Sequence, residues 1–82
     1  MKTYTPRPED LKRVRNDFTF HPPIMGSDQG DRYTRIREMG RLMAEELLTL
    51  CPTSRELSVA LTNLDQTVFW ANAAIARNET AP

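Results

Sequence analysis

The sequence predicts an all-α protein: an N-terminal arm with a short helix, followed by a long antiparallel helical hairpin that oligomerises. Two observations support this class. Apolar residues recur every three or four positions over two long stretches, which is the helical period. The proline-containing break "CPTS" between these stretches is so short that it predicts two neighbouring helices running in opposite directions.

The N-terminal part of the chain predicts a short helix and an arm. Residues 8–16 are interpreted as the helix, because Pro8 suits a first helical position and two acidic residues follow it near the positive helix end. Residues 17–30 are interpreted as an extended arm, because the proline pair disfavours helix at His21 and Pro22. The stretch "FTFHPP" in this arm carries two aromatic residues, which is more stiff apolar surface than a connector needs.

The two long helices form the predicted hairpin, residues 31–79. The first is expected from Asp31 to Leu50, and its apolar stripe comprises Tyr33, Ile36, Met39, Gly40, Met43, Leu47 and Leu50. The second is expected to open at Ser54, with Thr53 and Glu56 forming a capping box. Its stripe comprises Leu57, Ala60, Leu61, Leu64, Val68, Ala71 and Ile75.

The length and composition indicate one domain, residues 1–82, of which 80–82 form a short polar tail. A chain of this size buries only about 60% of its unfolded surface. Its single cysteine, Cys51, excludes an internal disulfide and suits a reducing cytosol, so oligomerisation remains as the means of stabilisation. Eleven basic residues balance eleven acidic ones, which argues against DNA or a membrane as the partner.

The second long helix is apolar on two sides. Opposite the first stripe lie Val59, Phe69, Trp70 and Ala73. A helix with two apolar sides needs two partners, and the other hairpin helix covers only one of them. The N-terminal arm or a neighbouring subunit could cover the second side. The small core favours the subunit, so these four residues are expected at an oligomer interface.

The sequence argues against catalysis and metal binding. It contains a single cysteine and a single histidine, so the usual metal-ligand spacings are missing. No nucleophile has a base and an orienting group nearby in the sequence. A DNA-reading helix would present polar side chains from its first turns, but after Arg55 the last helix continues with apolar or acidic residues. We therefore expect a binding protein with no catalytic residue, metal or cofactor.

One group of residues predicts a site for a small anionic ligand. Arg32 and Arg35 lie at the start of the first long helix, whose free N–H groups favour anions. The arm places Phe20 and His21 just before them, and aromatic faces stack on bases. Arg77 returns to the same open end of the hairpin. Each residue also has a structural alternative: Phe20 as a core anchor, Arg32 in a surface ion pair, and Arg77 as a helix C-terminal charge.

The stretch "CPTSRELSVALTNLDQTVFWANAAIARNE", residues 51–79, carries a family resemblance, together with "HPP" and "DRYTRIRE" upstream. Residues 18–79 resemble the helical-hairpin family of phage sponge proteins that disarm bacterial cyclic-nucleotide immunity. The resemblance points to the anti-CBASS sponges. The related sponges against Thoeris signalling carry an additional β-rich portion for which this chain lacks room.

The resemblance implies that the protein sequesters cyclic dinucleotides and cyclic trinucleotides without cleaving them, in the cytoplasm of an infected bacterial host. It also implies a hexamer with pockets between protomers. Phe20, beside His21, would stack on a base, and Arg35, with Arg32 close by, would meet phosphate. Arg77 would serve a second pocket for cyclic trinucleotides. The alternative is a small helical protein-interaction module that docks a host protein on its Phe69 and Trp70 face.

Overall fold

The computed structural model describes residues 1–79 and contains three helices. They are α1 (Pro8–Asp17), α2 (Gln29–Leu50) and α3 (Arg55–Asn78). Within the described residues the chain forms no β-strand, which confirms the predicted all-α class. The expected polar tail, residues 80–82, lies outside the described residues.

Helices α2 and α3 pack against each other as an antiparallel hairpin. Gln29 and Glu79 are hydrogen-bonded at the open end, and Gly40 lies against Val68 in the middle. A Cβ atom at Gly40 would lie only 2.5 Å from Cγ2 of Val68. The missing side chain therefore lets the two helices approach closely at this level, which offsets the usual cost of glycine inside a helix.

The close approach at Gly40 determines which residues of α2 face α3. The half-buried residues of α2 along the contact are Tyr33, Ile36, Gly40, Ala44 and Leu47. Met39, Met43 and Leu50, which the periodicity also placed on the stripe, are instead more than half exposed. Since Gly40 lies on the contact line, Ala44, one turn later, replaces Met43 there. The two methionines line a groove at the edge of the contact, together with Thr67 and Ala71 of α3. The expected stripe of α3 lies at the contact, except for Ala60, which is exposed.

Three predicted helix boundaries differ from the structure: α1 ends at Asp17 rather than residue 16, α3 begins at Arg55 rather than Ser54, and the start of α2 also shifts. Helix α2 begins at Gln29 rather than Asp31, because tertiary hydrogen bonds hold the Gln29 side chain. The cap of α3 is Ser54, whose Oγ accepts a hydrogen bond from the Leu57 amide at 3.1 Å. The predicted capping box at Thr53 was therefore wrong by one residue, since the cap must lie directly before the first helical residue.

The single chain has an open shape and a very small core. Among the described residues only Leu57 and Gln29 are buried, with 7% and 2% of their surface exposed. The radius of gyration is 17.6 Å, whereas a compact chain of this length would have about 12 Å. Helix α1 touches the hairpin at its C-terminal end, where Asn16 Nδ2 donates a hydrogen bond to the Arg77 carbonyl at 3.1 Å. Most of the apolar surface therefore has no cover within one chain.

Candidate functional site

The open end of the hairpin joins the start of α2 to the end of α3. Arg32 donates from both terminal guanidinium nitrogens to the Glu79 carboxylate, with one N–O distance of 2.8 Å. The Gln29 side-chain amide donates to the Glu79 carbonyl oxygen at 2.9 Å. The structure thus brings the two helix ends together, as the antiparallel hairpin predicted.

The arm folds over this open end and encloses a shallow concavity of about 330 Å³. Its lining residues come from the arm, α2 and the end of α3: Phe20, His21, Pro22, Pro23, Ile24, Met25, Gln29, Ala76 and Glu79. We call this concavity the arm pocket. The backbone turns at Gly26, whose φ of 81° is in the left-handed region that favours glycine.

Phe20 and His21 have different environments within the arm pocket. The Phe20 side chain is 84% exposed, so in the single chain it does not act as a core anchor. His21 is half-buried, and its Nε2 lies 2.9 Å from the Asn16 carbonyl oxygen. Because a carbonyl oxygen can only accept, Nε2 carries the proton in this contact. The arm therefore presents one flat apolar face to solvent beside a fixed imidazole.

Arg32 is engaged by two carboxylates. Besides Glu79, it donates from Nε to Asp28 Oδ1 at 3.0 Å. These hydrogen bonds raise the pKa of Arg32, chiefly through Glu79, and the bonds from Arg32 lower the pKa of Glu79 below its usual value. The ion-pair alternative for Arg32 is therefore present in the structure. Its consequence is that the Glu79 carboxylate in the wall of the arm pocket is charge-balanced.

Arg35 lies one turn further along α2 and is exposed. Within the described part of the chain its guanidinium makes no hydrogen bond or ion pair. It lines neither the arm pocket nor the second concavity described next. Of the two arginines predicted at the start of α2, only Arg35 can therefore accept an anion without giving up an existing carboxylate.

Arg77 contributes to a second concavity, which we call the Arg77 pocket. It has a volume of about 540 Å³ and lies between α1 and the end of α3, lined by Glu9, Lys12, Arg13, Asn16, Asp17, Arg77 and Asn78. The Nε atom of Arg77 lies 3.5 Å from Asp17 Oδ1, and its guanidinium carbon lies 5.5 Å from the Trp70 ring centroid. Two side chains, Asp17 and Trp70, thus orient Arg77. A residue that served only as a positive charge at the end of the helix would not need these contacts.

The family of the protein follows from a match between its sequence and a model of a known hairpin domain. Residues 10–76 match the family model described as "Acb2/Tad1, hairpin domain". The chain belongs to the Acb2/Tad1 hairpin family. This family comprises phage sponges for signalling molecules of the anti-CBASS and anti-Thoeris kinds, and it is a family of binding domains rather than of known enzymes. Comparisons with curated proteins and with solved structures found no significant match.

The arm and Arg77, which the family resemblance assigned to different ligands, lie in different concavities of this Acb2/Tad1 hairpin. Phe20 and His21 line the arm pocket, and Arg77 lines the other. Sequence reasoning missed Gln29 and Glu79, which hold the open end together. No local sequence pattern predicts these roles. Glu79 is bonded to Gln29 and Arg32, more than forty positions away, and Gln29 is bonded in addition to Ile24, across a turn.

The second apolar side of α3 is open to solvent in the single chain. Phe69 and Trp70 pack edge to face with their ring centroids 5.4 Å apart, yet they are 60% and 56% exposed. Val59 is also exposed, and Ala73 is half-buried. The arm covers the end of α3 rather than this side, so the alternative in which the arm packs over it does not hold.

Residues 1–79 lack the features of two other classes of site. No group of three or more histidine, cysteine, aspartate or glutamate side chains is placed to hold a metal ion. None of the three helices is both long and apolar enough to span a bilayer.

Proposed function

We propose that this protein is a phage immune-evasion sponge that sequesters the cyclic di- and trinucleotide messengers of bacterial CBASS immunity without degrading them. The observation that carries the proposal is the exposed Phe20 ring, held by a hydrogen-bonded arm at the open end of a family hairpin. Sequestration would take place in the cytoplasm of the infected host, where these messengers are made.

The arm pocket is proposed to bind the bases of a cyclic dinucleotide. Stacking on an aromatic side chain contributes about 1–3 kcal/mol per base and tolerates any base, because every base has a π face. Phe20 would supply this face, and His21 would line the pocket beside it. Pro22 and Pro23 restrict the arm, so little entropy is lost when the ligand binds.

Arginines are proposed to bind the phosphates. Arg35 is the main candidate, because its guanidinium has no partner within the described residues. Arg32 would contribute indirectly, since by neutralising Glu79 it removes a repulsive charge from the wall of the arm pocket. Each charge-assisted contact contributes about 1.5–3 kcal/mol.

The Arg77 pocket is proposed to take cyclic trinucleotides. It combines three cations, Lys12, Arg13 and Arg77, with two acidic residues, and it is larger than the arm pocket. The contacts from Asp17 and Trp70 hold the Arg77 guanidinium in a defined orientation, which favours a bidentate contact with phosphate.

The protein is proposed to work as a hexamer with pockets shared between protomers. One chain exposes 7135 Å², whereas a compact monomer of 9.4 kDa would expose about 5,000 Å². The excess exceeds the roughly 800 Å² that one standard interface buries per partner. Two stacks and two phosphate contacts also amount to only about 5–12 kcal/mol before association costs, and a nanomolar affinity needs about 12 kcal/mol. A pocket completed by a second protomer would supply the difference.

Isothermal titration with a panel of cyclic di- and trinucleotides tests the proposal. We expect saturable binding, followed by recovery of the intact ring after the protein is denatured. Linear product that accumulates in proportion to protein concentration would mean that the protein is an enzyme. If no member of the panel binds, cyclic nucleotides are not the ligand of this protein.

A second candidate function is a protein-interaction module, which the exposure of Phe69 and Trp70 favours. In that case a host protein rather than another copy of the chain would cover this side of α3. The two functions differ in what the purified protein carries. A heat extract of a sponge expressed in a host that makes cyclic nucleotides should show the ultraviolet absorbance of nucleobases, and an extract of a protein-binding module should not.

A further inference from the structure

Gln29 is the most deeply buried polar side chain among the described residues, with 2% of its surface exposed. Its Oε1 accepts a hydrogen bond from the Ile24 amide at 2.9 Å, and its Nε2 donates to the Glu79 carbonyl at 2.9 Å. The side chain of one residue at the start of α2 thus connects the arm to the C-terminal end of α3.

The chemistry of the amide suits this position. The Ile24 N–H is a donor and the Glu79 carbonyl is an acceptor, so the residue between them must accept on one side and donate on the other. A primary amide does both without a charge, whereas a carboxylate only accepts and an ammonium only donates. An apolar residue in this place would leave the Ile24 N–H and the Glu79 carbonyl without a partner. Unsatisfied polar groups of this kind lower the free energy of unfolding.

We propose that Gln29 is a positioning residue that holds the arm, and with it Phe20 and His21, over the open end of the hairpin. The aromatic face of the arm pocket is then in place before a ligand arrives, and ordering of the arm costs little on binding. The consequence for ligand affinity rests on the proposed function. The connection itself concerns the ligand-free protein.

The contacts of Gln29 separate this role from general support of the fold. The hairpin is held by contacts along its length, such as Gly40 against Val68 and the buried Leu57. The arm has further contacts, but they lead elsewhere. His21 Nε2 lies 2.9 Å from the Asn16 carbonyl and Thr19 Oγ1 donates to the Arg15 carbonyl, both in α1, and Ser27 Oγ accepts only from the backbone amide of position 29, which a side-chain substitution leaves in place. Loss of the Gln29 side-chain amide should therefore release the arm up to Ile24 from the open end while α2 and α3 remain paired.

Hydrogen exchange of the ligand-free protein tests the connection. In Gln29→Leu we expect the Ile24 amide to exchange at least about tenfold faster, while amides in the middle of α2 and α3 keep their protection. Gln29→Glu keeps an acceptor for Ile24 but cannot donate to Glu79, so Ile24 should stay better protected than in Gln29→Leu. The matched control is Thr49→Val, which also removes a side-chain hydrogen bond from α2, but at its far end.

Calorimetry with a cyclic dinucleotide as the probe tests the consequence for binding. We expect Gln29→Leu to bind about tenfold more weakly and Thr49→Val to bind like the wild type. Uniformly faster exchange along both helices would overturn the proposal, because Gln29 would then support the whole fold. Unchanged exchange at Ile24 would also overturn it. If the wild type binds no nucleotide, the proposed function fails, and the exchange data still decide whether Gln29 positions the arm.

Discussion

The guanidinium of Arg77 lies over the ring of Trp70, with 5.5 Å between the guanidinium carbon and the ring centroid. Trp70 belongs to the open apolar side of α3, and Arg77 belongs to the concavity between α1 and α3. Because a cation–π contact orients both groups, a change at the proposed interface can move a proposed ligand contact. Binding data on variants are therefore interpretable only when the assembly state of each variant is measured as well.

The first prediction concerns assembly. Trp70→Glu should disrupt the oligomer, because it places a charge in a packed apolar interface. Trp70→Phe keeps an apolar ring and should still assemble. Sedimentation equilibrium at micromolar concentration measures both. A wild-type protein that sediments as a 9.4 kDa monomer would contradict the prediction.

The second prediction concerns base stacking in the arm pocket. Phe20→Ala should lose about 1–3 kcal/mol for each base that the ring contacts, which is about tenfold or more in the dissociation constant. Phe20→Tyr keeps the aromatic face and should retain affinity. Because the Phe20 side chain is exposed, neither change should lower the thermal unfolding midpoint. Equal affinity of Phe20→Ala and wild type for every cyclic dinucleotide would show that the ring does not stack on a ligand.

The third prediction separates the two arginines of α2. Arg35→Ala should weaken cyclic dinucleotide binding by about tenfold or more, through loss of a contact of about 1.5–3 kcal/mol, and should leave thermal stability unchanged. Arg32→Ala should lower stability instead, because it leaves Asp28 and Glu79 without their cation. Titration calorimetry and thermal unfolding of both variants make the comparison. If instead Arg32→Ala weakens binding and Arg35→Ala lowers stability, Arg32 makes the phosphate contact.

The fourth prediction tests whether two pockets operate. Arg77→Ala should abolish cyclic trinucleotide binding and leave cyclic dinucleotide affinity within about threefold, a difference of less than 1 kcal/mol. The matched control is Arg55→Ala, which removes an exposed arginine from the other end of α3. Assembly must be intact in both variants. If Arg77→Ala and Phe20→Ala weaken the same ligand equally, there is one site.

The fifth prediction concerns pH. Hydrogen bonds from Arg32 hold the pKa of Glu79 below its usual value, so folding favours the ionised carboxylate. This contribution to stability is present above the unfolded-state pKa of the group, and it is lost as the pH falls through the lower folded-state pKa. The thermal midpoint of Glu79→Gln should therefore lie below that of wild type near neutral pH and approach it in acid. Glu46→Gln, which changes an exposed carboxylate on α2, should show no such trend. A gap for Glu79→Gln that does not depend on pH would contradict the ion-pair explanation.

Local patterns in the sequence were enough to predict most of the architecture. The three-and-four period predicted two long helices, the "CPTS" break predicted the hairpin, and Pro22 and Pro23 predicted a break in the helical pattern, which the structure has at residues 18–28. The apolar residues opposite the contact stripe of α3 predicted a second side without a partner in the chain, and Phe69 and Trp70 are exposed there. These predictions succeed because each depends on residues within a turn or two of one another.

The tertiary structure decided what depends on distant partners. Gly40 could be recognised as a point of close helix approach only once Val68 was opposite it, and Met39 and Met43 beside this contact stay more than half exposed. Gln29 extends α2 beyond its predicted start because its amide joins Ile24 to Glu79. The pairing of Arg32 with Glu79 likewise joins residues 47 positions apart. A side-chain hydrogen bond across such a separation leaves no period or motif in the sequence, so its geometry appears only when the chain is folded.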